Sequence, residues 1–106
     1  MKVIIGENIM LSKIPIDMKK VRNEDIKKEV LRVAVIAELD AINLYEELAS
    51  AVDDQDLKEV FMDVAKEEKT HAGEFMAMLL KEDTEQINEL EAGRKEVEEL
   101  IGKKTF

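Results

Sequence analysis

Cysteine is absent from all 106 residues, and proline occurs once, at Pro15. Without thiols, this chain has no disulfides, thiolate metal sites, four-cysteine iron centres or cysteine nucleophiles. Any metal chemistry must therefore use oxygen and imidazole donors. No apolar run approaches the length needed to cross a bilayer, and the opening MKVIIGENIMLSKIP has too short an apolar stretch for a signal peptide. The sequence reads as a cytoplasmic protein with no membrane association. Basic residues are in deficit, with 16 Lys and Arg against 25 Asp and Glu and a formal charge of −9. This balance argues against nucleic-acid binding and for attraction of cations. Strand-like alternation, low-complexity tracts and long repeats are also missing.

What is present is helical. Residues 1–22 show no sustained period and are expected to form an arm, partly disordered. From Asn23, a favourable N-cap followed by Glu24 and Asp25, a helical pattern runs to about Val52 with Leu31, Ala34, Val35, Ala41, Ile42, Tyr45, Ala49 and Val52 on one stripe. The acidic turn DDQD interrupts it, and Asp53 or Asp54 is placed to cap a second helix ending near Lys81. The inward face of that helix is expected to carry Leu57, Phe61, Val64, Ala65, Ala72, Phe75 and Leu79. Gly73 within it suggests a close helix approach. A third helix is expected from Thr84 to Ile101, with Ile87, Leu90, Val97 and Ile101 on one side and Gly102 as its C-cap. The domain reading is an arm at 1–22, a hairpin at 23–81, a C-terminal helix at 84–102 and a tail at 103–106. The fold class is all-α: an antiparallel two-helix hairpin plus a short C-terminal helix.

Three polar residues do not fit a plain apolar stripe. Glu38 lies among Ala34, Val35, Ala41, Ile42 and Tyr45, where a solvated carboxylate does not belong. At about 100° per residue, Glu68 points with Leu57, Phe61, Val64, Phe75 and Leu79, while Glu67 falls at the margin. His71, the only histidine, follows one turn later near the stripe edge. Glu38 is about fifteen residues before the turn and Glu68 about fifteen after it, so at ~1.5 Å per residue both stand ~22 Å from the turn and face each other. Two such carboxylates repel and are expensive to desolvate unless protonated or bound to a cation. A lone histidine at a stripe edge is ordinarily a packing or surface residue, and Glu-x-x-His is common by chance. The weight rests on Glu38, whose level matching with Glu68 is independent of the histidine.

One hairpin supplies Glu, Glu and His. The di-iron carboxylate sites of four-helix bundles take a Glu from each of two helices and a Glu-x-x-His from each of the other two. This chain holds half of that set, and a symmetric dimer would complete four carboxylates and two imidazoles across a twofold axis in a four-helix bundle. Such a donor set suits iron or manganese, and zinc also binds it.

The run AELDAINLYEELA, with Glu38, Ala41, Tyr45 and Glu46, together with Glu68-x-x-His71 thirty residues later, resembles the encapsulated ferritins, ferritin-like proteins housed in encapsulin shells. The resemblance spans roughly Glu24 to Ile101. It implies a ferroxidase in which Glu38, Glu68 and His71 bind iron, two ions per dimer interface, with Tyr45 close to the centre and Asp40 near an iron approach path. Ala37 stands where some members carry glutamate. It further implies a homodimer assembling into a ring, with the third helix as a ring contact. An encapsulin shell protein would be the partner, ferrous iron and dioxygen or peroxide the substrates, and the lumen of an encapsulin nanocompartment the location. Members reach their shell through a C-terminal peptide or a fusion; Leu100, Ile101 and Gly102 are faintly similar to such a peptide, and a helix end accounts for them equally well. The family-like sequence is compatible with a start at Met1 or at Met10.

Two other functions fit the residues. A rubrerythrin-like peroxidase would use the same di-metal chemistry on hydrogen peroxide, without the thiolate iron centre that usually supplies its electrons. A metal-free helical dimer joined through apolar faces, with Met62, Met76 and Met78 as interface filler, needs no chemistry at all.

Overall fold

The computed structural model describes residues 18–20 and 22–106. The expectations for Pro15 and for most of the N-terminal arm lie outside the described residues. Two short 3-10 turns, Met18–Lys20 and Asn23–Asp25, precede three α-helices: α1 over Ile26–Ala51, α2 over Gln55–Glu82 and α3 over Thr84–Ile101. No strand occurs among the described residues.

The helix ends follow from local chemistry. Asn23 does not cap α1 as its residue type suggests. Arg22 draws Asp25 into a tight turn through its backbone carbonyl, which accepts the Asp25 N–H at 2.9 Å, and through its guanidinium, which pairs with the Asp25 carboxylate at 2.7 Å. Helix α1 therefore begins only at Ile26, with Asp25 in the N-cap position and its side chain engaged elsewhere. Val52 leaves the helix in an extended conformation, and the Lys58 ammonium donates to the Ala49 carbonyl at 2.9 Å, satisfying one of the C-terminal acceptors of α1. Asp54 caps α2, its Oδ1 accepting the Leu57 N–H at 3.0 Å. Gly102 ends α3 at φ 72°, a left-handed conformation that glycine adopts without steric cost, and its N–H returns to the Glu98 carbonyl.

Helices α1 and α2 pack as an antiparallel hairpin along most of their length. Its interior is thin: Ala49, Ala65 and Leu79 are buried, and the rest of both expected stripes is half-buried, with Leu57 exposed. One helix can shield only one face of its neighbour, and both stripes are wider than that shared contact. Val30, Leu39, Val60, Met62 and Met78 remain exposed on the flanks. Helix α3 leaves the hairpin and buries none of its residues; Ile87, Leu90, Val97 and Ile101 all stay exposed. Gly73 marks no close approach within the chain, since a Cβ there would meet nothing within 4 Å. It lies about 140° around α2 from Glu68, on the side turned away from α1.

Candidate metal centre

Glu38 on α1 and Glu68 and His71 on α2 come together midway along the hairpin. One ligand atom from each lies within 4.8 Å of the other two. The cause is the register described above: a three-residue connection at 52–54 joins the helices, and Glu38 and Glu68, each fifteen residues from Asp53, fall at one level. His71 Nδ1 stands 3.3 Å from Glu68 Oε2, on the same helix one turn away, and 3.6 Å from Glu38 Oε2 across the hairpin.

The carboxylates are more enclosed than the imidazole, with side chains 17% and 18% exposed for Glu38 and Glu68 against 44% for His71. Glu38 Oε2 is shut off from solvent with no hydrogen-bond partner. At 3.6 Å the His71 nitrogen is an electrostatic neighbour and lies beyond a proper hydrogen bond. Burial pushes the Glu38 carboxyl above its ordinary value, the adjacent Glu68 carboxylate adds to that rise, and His71 offsets part of it. The hydrogen bond to Glu68 holds His71 above the usual imidazole range; partial burial opposes it, and the charges of Glu68, Glu38 and Glu74 reinforce it. A desolvated carboxylate oxygen lacking a partner, beside a second carboxylate and an imidazole, is a mismatch that a bound cation removes. The residues present thus fit a divalent metal with oxygen and nitrogen preferences, such as iron, manganese or zinc.

The centre opens to one flank of the hairpin. In two antiparallel right-handed helices, positions about 60–120° before the mutual contact line fall on the same side. On α1 these include Val30, Ala37 and Leu44; on α2 they include Val60, Glu67, His71, Glu74 and Met78. Val30, Val60 and Met78 are 47%, 57% and 49% exposed. His71 therefore reaches the surface on a flank where exposed Val30, Val60 and Met78 stand among the exposed carboxylates Glu67 and Glu74, with small Ala37 beside it.

Tyr45, two turns from Glu38 along α1, is half-buried and stacks on Phe61 of α2 with ring centroids 6.3 Å apart and planes at 27°. It lines the hairpin interior about 10 Å along the helix axis from Glu38, toward the turn. Asp40 lies outside the three-residue group; two residues beyond Glu38, it projects about 200° around α1. Two features were not read from sequence. Glu74, one turn after His71, contributes negative potential to the imidazole, and its spacing of three residues is the signal that would have shown it. The other is an ion pair between Arg32 and Asp83 across the chain.

No described helix is long and apolar enough to cross a membrane. A family model described as Rubrerythrin matches residues 29–104. The chain is 57% identical over 74 residues to a ferritin-like-encapsulin shell fusion protein of Pyrococcus furiosus, covering 70% of this chain and 21% of the fusion. It is 35% identical over 68 residues to the encapsulin nanocompartment cargo protein EncC of Myxococcus xanthus, covering 64% of this chain and 52% of the cargo protein. It thus spans about a fifth of one relative and about half of the other. The crystal structure of the encapsulated ferritin domain from Pyrococcus furiosus superimposes with a TM-score of 0.77 at 47% identity, covering 94% of this chain and all of that domain. With its all-helical hairpin, its Glu–Glu–His cluster and these relationships, the chain belongs to the rubrerythrin family of ferritin-like proteins and, within it, to the encapsulated ferritins.

Proposed function

We propose that this protein is a ferroxidase whose di-iron centre is assembled between two copies of the chain, and that it serves as cargo of a cytoplasmic encapsulin iron-storage compartment. The observation that carries the reading is the solvent-excluded, unpartnered Oε2 of Glu38 within a group of three donors on a single hairpin. Three donors leave a metal's coordination incomplete, and the centre opens on the flank where Val30, Val60 and Met78 are uncovered. A second hairpin related by a twofold axis supplies a second Glu38, Glu68 and His71 and covers those residues.

Ferrous iron is the substrate. When bound, a pair of ferrous ions can each give one electron to a shared dioxygen or peroxide. The residues of the chain have three tasks. Glu38 and Glu68 supply anionic oxygen: two copies of each give four negative charges, which balance two divalent cations and make burial tolerable. His71 gives up the proton that Glu68 helps it to hold and offers its ring nitrogen. Tyr45, on the interior side, stacks on Phe61 and helps to keep the carboxylates away from bulk water. The encapsulin partnership is supported by the two relatives, one a ferritin-like domain fused to an encapsulin shell and one an encapsulin nanocompartment cargo.

A rubrerythrin-like peroxidase is the second reading, favoured by the family match. The test compares ferrous-iron oxidation by dioxygen with peroxide turnover under an external reductant. Dioxygen-dependent formation of ferric product that Glu68→Ala abolishes supports the ferroxidase. Reductant-dependent peroxide turnover without ferrous-iron oxidation supports the peroxidase. Absence of both activities, with unchanged association on adding ferrous iron, leaves a structural helical dimer.

A further inference from the structure

We infer that Arg32 and Asp83 form a latch that fixes the direction in which α3 leaves the hairpin. Asp83 is the single non-helical residue between α2 and α3, at φ −132° and ψ 88°, and it is the buried charged residue among those described. Its two carboxylate oxygens do different work. Oδ1 accepts the Gln86 N–H at 3.1 Å and so caps α3. Oδ2 accepts from the Arg32 guanidinium at 3.2 Å, tying the corner to α1, 51 residues earlier in the chain.

Little else orients α3. None of its residues is buried, and its meeting with α2 is confined to the corner, where Leu80, Ile87, Leu90 and Arg94 line an open cleft. An 18-residue helix is a lever of roughly 27 Å, so a small rotation at one hinge residue swings its far end by many ångströms. Capping alone stiffens the first turn of α3 but leaves the torsions of Asp83 free relative to α1. The Arg32 contact removes that freedom, because the carboxylate that begins α3 is simultaneously held by a residue on the first helix. Its consequence is the fixed orientation of an edge on which Ile87, Leu90, Val97 and Ile101 are exposed. The inference does not depend on metal chemistry.

The design of the test follows from the division of labour at Asp83. Arg32→Met and Arg32→Gln remove the tie and keep the cap; Asp83→Ser keeps a capping hydroxyl too short to reach Arg32. The chain contains no cysteine, so spin labels on Asn43→Cys in α1 and Glu96→Cys in α3, both exposed positions, report a unique pair. Pulsed electron-electron resonance on labelled chain diluted into excess unlabelled chain gives the distance distribution within one molecule, with circular dichroism to verify equal helix content. A shifted and broadened distribution in both Arg32 variants and in Asp83→Ser is expected. Unchanged distributions in the Arg32 variants overturn the latch, whether or not Asp83→Ser alters the distance, since the cap alone would then set the angle.

Discussion

Glu38 and His71 belong to different helices, yet Glu38 Oε2 and His71 Nδ1 stand 3.6 Å apart with Glu68 beside both. This one relationship joins the two halves of the hairpin electrically. Without a cation, the oxygen has no hydrogen bond and the cluster balances two carboxylates against one imidazole.

Neutralising Glu38 should therefore strengthen the metal-free protein. Glu38→Gln removes an ionised group from a poorly solvated position, and denaturation in the presence of a chelator is expected to show a gain of roughly 1 kcal/mol. The same variant should lose the stabilisation that ferrous iron confers on the unaltered chain. A loss of stability in the chelated state would mean that the carboxylate is satisfied without a cation.

Removal of a donor from the second helix should be costly to activity and mild for the fold. Glu68→Ala and His71→Ala are each expected to lower the rate of ferrous-iron oxidation at least ~100-fold, measured by ferric absorbance, while helix content stays unchanged. Glu59→Ala, on the exposed outer side of α2, serves as the control and should retain activity.

The pH dependence has a definite sign. Both Glu38 and His71 have their pKa raised in the metal-free protein. Metal must displace those protons, so affinity is expected to fall on acidification, beginning above the ordinary imidazole value of about 6.5. For folding, a raised pKa means that the protonated group stabilises the native state. The His71 contribution is fully present below its unfolded value and is lost as pH rises through its higher folded one. Glu38 contributes in the same direction, with full effect below its ordinary carboxylate value and loss as pH climbs through the raised one. Chelated protein should accordingly lose stability across those two windows as pH rises, and ferrous iron should reverse the trend; equilibrium denaturation against pH checks both.

The flank beside His71 gives a separate handle on association. Val60 is 57% exposed on the side to which His71 opens, and Val60→Lys would place a charge where the second hairpin is proposed to sit. At least about a tenfold weakening of dimerisation is expected by sedimentation equilibrium, which corresponds to ~1.4 kcal/mol or more. Asn43→Lys, on the outer side of α1, should have little effect.

Much of this architecture was legible because it depends on short-range rules. Periodicity marked the two long helices, and Gly102 marked the end of the third. The turn at DDQD set the register, and counting outward from it placed Glu38 opposite Glu68 before any side-chain position was known. What escaped the sequence depends on tertiary setting. Asn23 was displaced as a cap because Arg22 reorganised the turn. Gly73 looked like a point of close approach until its direction around α2 was known. The apolar side of α3 was visible in the sequence, but its failure to pack on the hairpin was not, because the corner at Asp83 turns the helix away. Even that corner left a trace: Asp83 and Gln86 have the spacing of an N-cap and its third helical residue.

Anomalous diffraction at the iron edge, from crystals grown anaerobically with ferrous iron, tests the shared centre most directly. Two iron peaks between two chains, each peak within bonding distance of Glu38, Glu68 or His71 side chains from both copies, are predicted. Iron held by a single hairpin, or no iron near these three residues, would contradict it.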